Sequence, residues 1–242
     1  MKIMIIRHGD PNYEIDGLTE KGQREAELLS HRLCRENIKK IYCSTLGRAK
    51  LTAEPTLKKL GMTAEYCPWL REFSYNPVSL PYLEKPDCCW DILPSYINGL
   101  ESIYSPTEWM NTDFIKNSGV YDAYRDVCRE LDLVLESHGY KRDKYNYIAE
   151  TPNHDTLVFV CHFGLTAVLL SHLLNCSPYT IWQHTCTPPT AVTTLYTEER
   201  EEGVALFRAG CIGDTSHLYA AGEEISFSAR FCECFTDDTR HH

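Results

Sequence analysis

Lys2-Ile3-Met4-Ile5-Ile6-Arg7-His8-Gly9 is the stretch on which the reading of this chain turns. A short apolar run rich in β-branched residues that stops at a glycine reads as a buried strand. The run delivers a cation and an imidazole side by side at the strand's carboxyl end, where open α/β sheets form their ligand crevices. That pairing suits attack on a phosphate ester by a histidine nitrogen. Two further stretches are built alike. Residues 157–161, Leu-Val-Phe-Val-Cys, deliver His162 and then Phe163-Gly164, with apolar helix-like sequence to Leu174. Ile41-Tyr42-Cys43 ends at Ser44 and leads into Thr45-Leu46-Gly47-Arg48. If the three strands are parallel neighbours, His8, Arg48 and His162 converge on one edge of the sheet.

The spacing elsewhere predicts a helix over 18–37, capped by Thr19 with Ala26, Leu29 and Leu33 on one face. A second helix is expected over 46–60, stopped by Gly61, then a strand over 63–67 ending at Pro68. Residues 74–118 change character: Pro77, Pro81, Pro86, Pro94 and Pro106 break every helical pattern, and Trp90 and Trp109 stand among several tyrosines. This reads as an irregular lid insertion in a single domain spanning 1–242. Helical order returns at 120–135, where Val120, Tyr124, Val127, Leu131 and Val134 share a face and Gly139 ends the element. Residues 191–196 and 204–209 read as two strands joined by a charged turn, Glu198-Glu199-Arg200-Glu201-Glu202.

Arg7-His8-Gly9, Leu18-Thr19-Glu20-Lys21-Gly22, Ser44-x-x-x-Arg48-Ala49-x-x-Thr52, Leu70-x-Glu72, His162-x-Gly164 and Gly213-Asp214-Thr215-Ser216-His217-Leu218 occur in an order that resembles the histidine phosphatase superfamily, the phosphoglycerate mutase-like family. The matched positions run from residue 2 to residue 218. The resemblance implies a three-layer αβα sandwich of the α/β class, a mostly parallel sheet with helices on both faces.

It also implies roles. His8 is the nucleophile, kept neutral beside Arg7, with its other nitrogen donating to a backbone carbonyl. Arg7 and Arg48 clamp phosphate oxygens. His162 donates to the same phosphate, and the helix it opens adds backbone donors. Glu72 is the general acid and base, its pKa raised by the bound phosphate, with Glu84 or Asp10 as stand-ins. Ser44 caps the helix carrying Arg48 or touches the phosphate, and His217 is structural. For Arg48 the alternative is a surface ion pair to Glu54; His154, His172 and His184 have no evident partner. No carboxylate and histidine spacing suggests a metal, so the expected reaction is metal-independent and cofactor-free hydrolysis of a small phosphomonoester. The rivals are a mutase-type phosphoryl transferase and a non-catalytic phospho-ligand or protein-binding module. Glu72-Phe73-Ser74-Tyr75-Asn76 lacks the Arg, His and Gly that family mutases carry after the acid, and Glu14 stands where many members have Asn. Both departures favour a phosphatase over a mutase.

Bulk composition bounds the rest. A formal charge of −10 argues against non-specific nucleic-acid binding but permits an anionic substrate in a crevice focused by a few arginines. The uncharged run 157–174 is long enough to span a bilayer, yet two histidines, Gly164 and the lack of flanking Lys or Arg favour a buried strand and helix. Twelve cysteines in a chain of 242 residues, with no leader pattern and no CxxC pair, are expected to be reduced thiols in a cytoplasmic protein, several of them in the core. That disfavours the secreted acid phosphatase branch.

Overall fold

A computed structural model describes residues 1–74, 76–228 and 234–236. Tyr75, Cys232 and the terminal pair His241-His242 lie outside the described residues. In chain order the elements are β1 (Lys2–Arg7), the two-residue strands β2 (Pro11–Asn12) and β3 (Gly17–Leu18), α1 (Glu20–Leu33), β4 (Ile38–Ser44), α2 (Gly47–Leu60) and β5 (Ala64–Cys67). The short helices α3 (Pro94–Ile97) and α4 (Asp113–Lys116) precede α5 (Val120–Ser137), β6 (Tyr140–Asp143), β7 (Asn146–Ala149) and β8 (Thr156–Cys161). The chain continues through α6 (Phe163–Leu174), α7 (Pro178–His184), β9 (Val192–Glu201), β10 (Val204–Asp214) and α8 (Ser216–Tyr219).

Eight strands form one sheet in the order β5-β4-β8-β1-β9-β10-β7-β6. β8 lies between β1 and β4 and runs parallel to both, as the convergence expected of His8, Arg48 and His162 requires. β9 is antiparallel to β1, and the pairings beyond it are antiparallel in turn, so six strands point one way and only β7 and β9 the other. A strand buried on both faces reads as a continuous apolar run. In β1, Ile3 and Ile5 face one cluster and Met4 and Ile6 the other; in β8, Leu157 and Phe159 oppose Val158 and Val160. Leu29 and Leu33 of α1 and Ala49 and Ala53 of α2 cover one face, while α5, α6, α7 and the insertion cover the other. The result is the expected αβα sandwich.

Local details follow from the same chemistry, with corrections. Thr19 caps α1, its Oγ1 accepting the Gly22 N–H at 3.0 Å, but the helix ends at Leu33 rather than 37 because the chain must turn into β4. Gly61, at φ 63°, terminates α2. The expected charged turn is strand: β9 runs to Glu201, and Arg208 of β10 pairs with Glu198 at 2.8 Å. β10 pairs here with β7 on its other side and keeps Ala205 and Phe207 buried, while Glu199, Arg200 and Glu201 are exposed, so the charged side chains are compatible with pairing. The turn itself is Glu202-Gly203, with Gly203 at φ 76°. The short elements β2, β3, α3, α4 and α8 were not foreseen, nor were the hairpin of β6 and β7 and the helix α7, which Ser177-Pro178 opens with the Ser177 hydroxyl accepting the Tyr179 N–H. The run 157–174 is β8 and α6, and among the described residues no helix is long and apolar enough to cross a membrane. Cys43, Cys128 and Cys161 are buried free thiols.

Residues 74–118 are largely irregular, as their prolines dictate, yet they are not a loose cover. Val78, Leu80, Cys89, Ile92, Ile97, Ile103, Trp109 and Ile115 all sit in the main core. Tyr179 of α7 donates to the Cys89 carbonyl at 2.8 Å, and Ser177 donates to the Ile103 carbonyl at 2.6 Å.

Candidate active site

Three parallel strands end together, and their next residues form the site. His8 follows β1; its backbone N–H donates to the Cys161 carbonyl of β8 at 3.0 Å, and its own carbonyl accepts the Thr190 N–H. Its imidazole is buried, with Nδ1 2.7 Å from the Gly9 carbonyl oxygen. A carbonyl can only accept, so Nδ1 carries the proton and Nε2 keeps its lone pair. Burial, reinforced by the charge on Arg7, holds the His8 pKa well below the usual imidazole value. The Gly9 N–H is fixed in turn by Thr52 Oγ1 at 2.9 Å, which donates to the Arg48 carbonyl. The Thr52 of the sequence motif therefore ties the His8 turn to α2.

His162, fully buried, stands with its ring 5.0 Å from that of His8. Its Nε2 is 2.8 Å from Ser44 Oγ, and the same oxygen accepts the Leu46 N–H. With that N–H directed at the serine oxygen, the hydroxyl proton is free to go to Nε2, leaving an N–H on Nδ1, which has no protein partner. Ser44 thus holds the His162 ring, and with Nε2 accepting the hydroxyl proton it is Nδ1 that donates. It does not cap α2 as expected: Asp16 does, its Oδ2 accepting the Gly47 N–H at 2.6 Å. Oδ1 of Asp16 accepts from Arg48 Nη1, also at 2.6 Å, so the ion-pair partner of Arg48 is Asp16 rather than Glu54. Asp16 sits at φ 47°, a left-handed conformation that Asp tolerates better than most residues. The ring of Tyr13 lies 5.4 Å from the Arg48 guanidinium.

Arg7 is buried, 3% exposed, and its fork is partly engaged. Nη1 donates to the carbonyls of Thr187 and Ser228, each at 3.0 Å, and Nη2 reaches Ser228 Oγ at 3.4 Å. The chain after α8 therefore returns to the crevice, and Ser226 also donates to the Asp10 carboxylate. Burial lowers the Arg7 pKa, against the pull of Tyr13 and Glu72. What remains is informative: Arg7 Nε, Arg48 Nε and His162 Nδ1 are buried without a protein partner. Buried donors are nearly always satisfied. Three unsatisfied ones beside a neutral imidazole suit an anion that is able to accept from all of them.

Glu72 follows β5 through a turn of 3₁₀ helix, Pro68–Leu70. One carboxyl oxygen accepts the Phe73 N–H at 2.8 Å and the Leu165 N–H of α6 at 3.2 Å. The Leu165 N–H in the first turn of α6 thus serves the acid. Burial of the carboxyl raises the Glu72 pKa even without a bound phosphate; the two N–H bonds and the arginines oppose it. Asp10 is committed elsewhere, accepting from Thr19 at 2.7 Å, and Glu84 is exposed. His217 is structural: it bonds Thr190 Oγ1 at 3.1 Å, behind the peptide that holds His8. His172 does have a partner, Asp132, at 2.9 Å. Among the described residues no cluster of His, Cys, Asp or Glu is arranged to hold a metal.

The family model of the histidine phosphatase superfamily, branch 1, matches residues 3–83, which carry His8, Arg48 and Glu72. The match, with the relatives below, supports the histidine phosphatase superfamily for this chain. Among curated relatives, the mitochondrial serine/threonine-protein phosphatase Pgam5 of Drosophila melanogaster is 34% identical over 89 residues, 33% of this chain and 31% of that protein. The chain thus spans about a third of the length of these curated relatives. The adenosylcobalamin/alpha-ribazole phosphatase of Salmonella typhi is 23% identical over 191 residues, 75% of this chain and 84% of that one. A phosphoserine phosphatase mutant of Entamoeba histolytica, solved with phosphoserine, shares the fold with a TM-score of 0.58 at 16% identity, over 90% of this chain and 98% of that one.

Within this fold, sequence reading passed over Asp16, Thr190 and Trp90. Asp16 and Thr190 act through left-handed or irregular loops whose partners lie far along the chain. Thr52 was visible in the motif, but its bond to Gly9 was not.

Proposed function

We propose that the chain is a metal-independent phosphatase that hydrolyses a small phosphomonoester through a phosphohistidine at His8. The observation that carries this reading is the 2.7 Å contact of His8 Nδ1 with the Gly9 carbonyl, which leaves the lone pair on Nε2 of a buried imidazole, in a site that also holds unsatisfied donors. In the first step Nε2 bonds to phosphorus, the phosphorus–oxygen ester bond breaks, and the leaving oxygen takes the proton of Glu72. In the second step water gives a proton to Glu72 and its oxygen bonds to phosphorus. The phosphorus–nitrogen bond then breaks, returning His8 neutral and releasing phosphate. Arg7, Arg48 and His162 stabilise the negative charge on the equatorial oxygens throughout. A group that only bound phosphate would need the cations but not a tautomer-fixed nucleophile.

The test is release of phosphate from p-nitrophenyl phosphate in excess EDTA, by wild type and His8→Ala. Turnover that survives EDTA and is lost in the variant supports the reading, as does an acid-labile phosphoenzyme trapped only in wild type. Equal activity in both proteins would remove His8 from the mechanism. Transfer of the phosphoryl group to a second hydroxyl faster than to water would make the protein a mutase.

A further inference from the structure

We propose that Trp90, carried by the insertion, is the positioning residue for the Glu72 acid. Its indole closes the slot above Gly164 and holds the peptide to which the carboxyl is bound. This rests on the phosphatase reading above.

Four observations meet at this indole. Trp90 Nε1 donates to the Phe73 carbonyl at 3.1 Å, while the Phe73 N–H donates to Glu72 Oε1 at 2.8 Å, so one residue is gripped on both sides of its backbone. A Cβ on Gly164 would lie 2.5 Å from Trp90 Nε1 and 2.8 Å from Glu72 Oε1. The indole and the carboxylate are therefore packed against the same bare Cα in the first turn of α6, and only glycine leaves room for both. Trp90 also meets the Phe163 ring edge-on at 5.4 Å, and Phe163 lies 6.0 Å from the Arg7 guanidinium. Finally, α7 anchors Trp90 from behind: Gln183 donates to its carbonyl at 2.7 Å, and Trp182 donates to the Gly164 carbonyl at 2.9 Å. A carboxyl shielded by an indole and tied to two N–H groups has few rotamers left, and its approach to a leaving oxygen is fixed before substrate arrives. The insertion is thereby coupled to the acid and not only to the mouth of the crevice.

The experiment compares phenyl phosphate with p-nitrophenyl phosphate in wild type and Trp90→Phe, with Trp90→Ala as a second variant. The esters differ little in shape, but phenolate is the more basic leaving group and depends more on a delivered proton. Because kcat/KM includes only steps through leaving-group departure, it isolates the acid's first role. The expected result is a fall in kcat/KM for phenyl phosphate at least about tenfold larger than for the nitro ester. The alkaline limb of the pH profile should also move, while inhibition by inorganic phosphate changes less than about threefold because the clamp is untouched. Trp90→Phe keeps a ring against Phe163, so it separates the lost N–H from lost packing. Equal losses on both esters, with the alkaline limb unmoved, would overturn the proposal while leaving the phosphatase reading intact. Failure of wild type to hydrolyse either ester in a His8-dependent way would overturn both.

Discussion

At the scale of single residues, the site is a set of protonation states fixed by hydrogen bonds. His8 is neutral because it is buried and beside Arg7, and its free nitrogen is selected by one carbonyl. Glu72 is protonated above the ordinary carboxylate range because its carboxyl is buried. The two shifts have opposite signs and fix the pH profile. His8 has a depressed pKa, so its lone pair persists as pH falls through 6.5, and the acid limb of kcat/KM should lie below 6.5. Glu72 has a raised pKa, so the proton it donates in the proposed mechanism is held above 4.5 and lost as pH rises through the raised value. Glu72→Gln should abolish that alkaline limb and reduce kcat/KM for basic leaving groups by about 10²–10⁴. An acid limb at the ordinary imidazole pKa would mean that His8 is solvated in the working enzyme.

At the scale of elements, the close contacts are between backbone turns that no single element specifies. The N-terminus of α2 has no cap from its own chain segment and takes one from Asp16, which also orients Arg48. Asp16→Asn keeps the left-handed backbone and a capping oxygen while removing the charge. Thermal stability should fall by about 1 kcal/mol or less, because the pair is partly solvated. KM should rise several-fold as Arg48 loses its orientation. A loss confined to stability, with KM unchanged, would show that Asp16 only caps. Gly22 makes a similar junction in α1, where a side chain would run into the Asp10 backbone next to the His8-Gly9 turn. Gly22→Ala should therefore cost both stability and kcat, measured by denaturant midpoint and turnover.

At the scale of the whole molecule, burial couples stability to pH through groups away from the chemistry. Glu25 of α1 is fully buried, with Oε2 accepting the Asp10 N–H at 2.8 Å and Oε1 without a partner. Burial first, and the charge of Asp10 to a lesser extent, push its pKa up to about 7. A raised carboxyl pKa favours folding when protonated, so this stabilisation is complete below about 4.5 and lost as pH rises through about 7. Between pH 5 and pH 8 the difference in unfolding free energy between wild type and Glu25→Gln should shift toward the variant, by up to about 3 kcal/mol. A difference that stays constant with pH would show that Glu25 is ionised in the folded protein throughout. Sheet order matters at this scale too: β8 placed between β1 and β4 is what brings His162 between His8 and Arg48.

The sequence by itself determined the strands that lead to His8, Ser44 and His162 and the Thr19 and Gly61 caps, with the αβα layering implied by the family resemblance. These follow from local rules: a strand buried on both faces is continuously apolar, and a cap is written within a few residues of its helix. Only the tertiary structure decided that Asp16 rather than Ser44 caps α2, that Ser44 instead orients His162, and that burial raises the Glu72 pKa. It also decided that the proline-broken insertion is core and reaches the acid through Trp90. Each of these depends on which distant loops share a sheet edge, and charged residues such as Glu198–Glu202 carry no local mark that separates a turn from an exposed strand. Proximity of that kind is set by chain closure over more than one element, where no sequence period reports it.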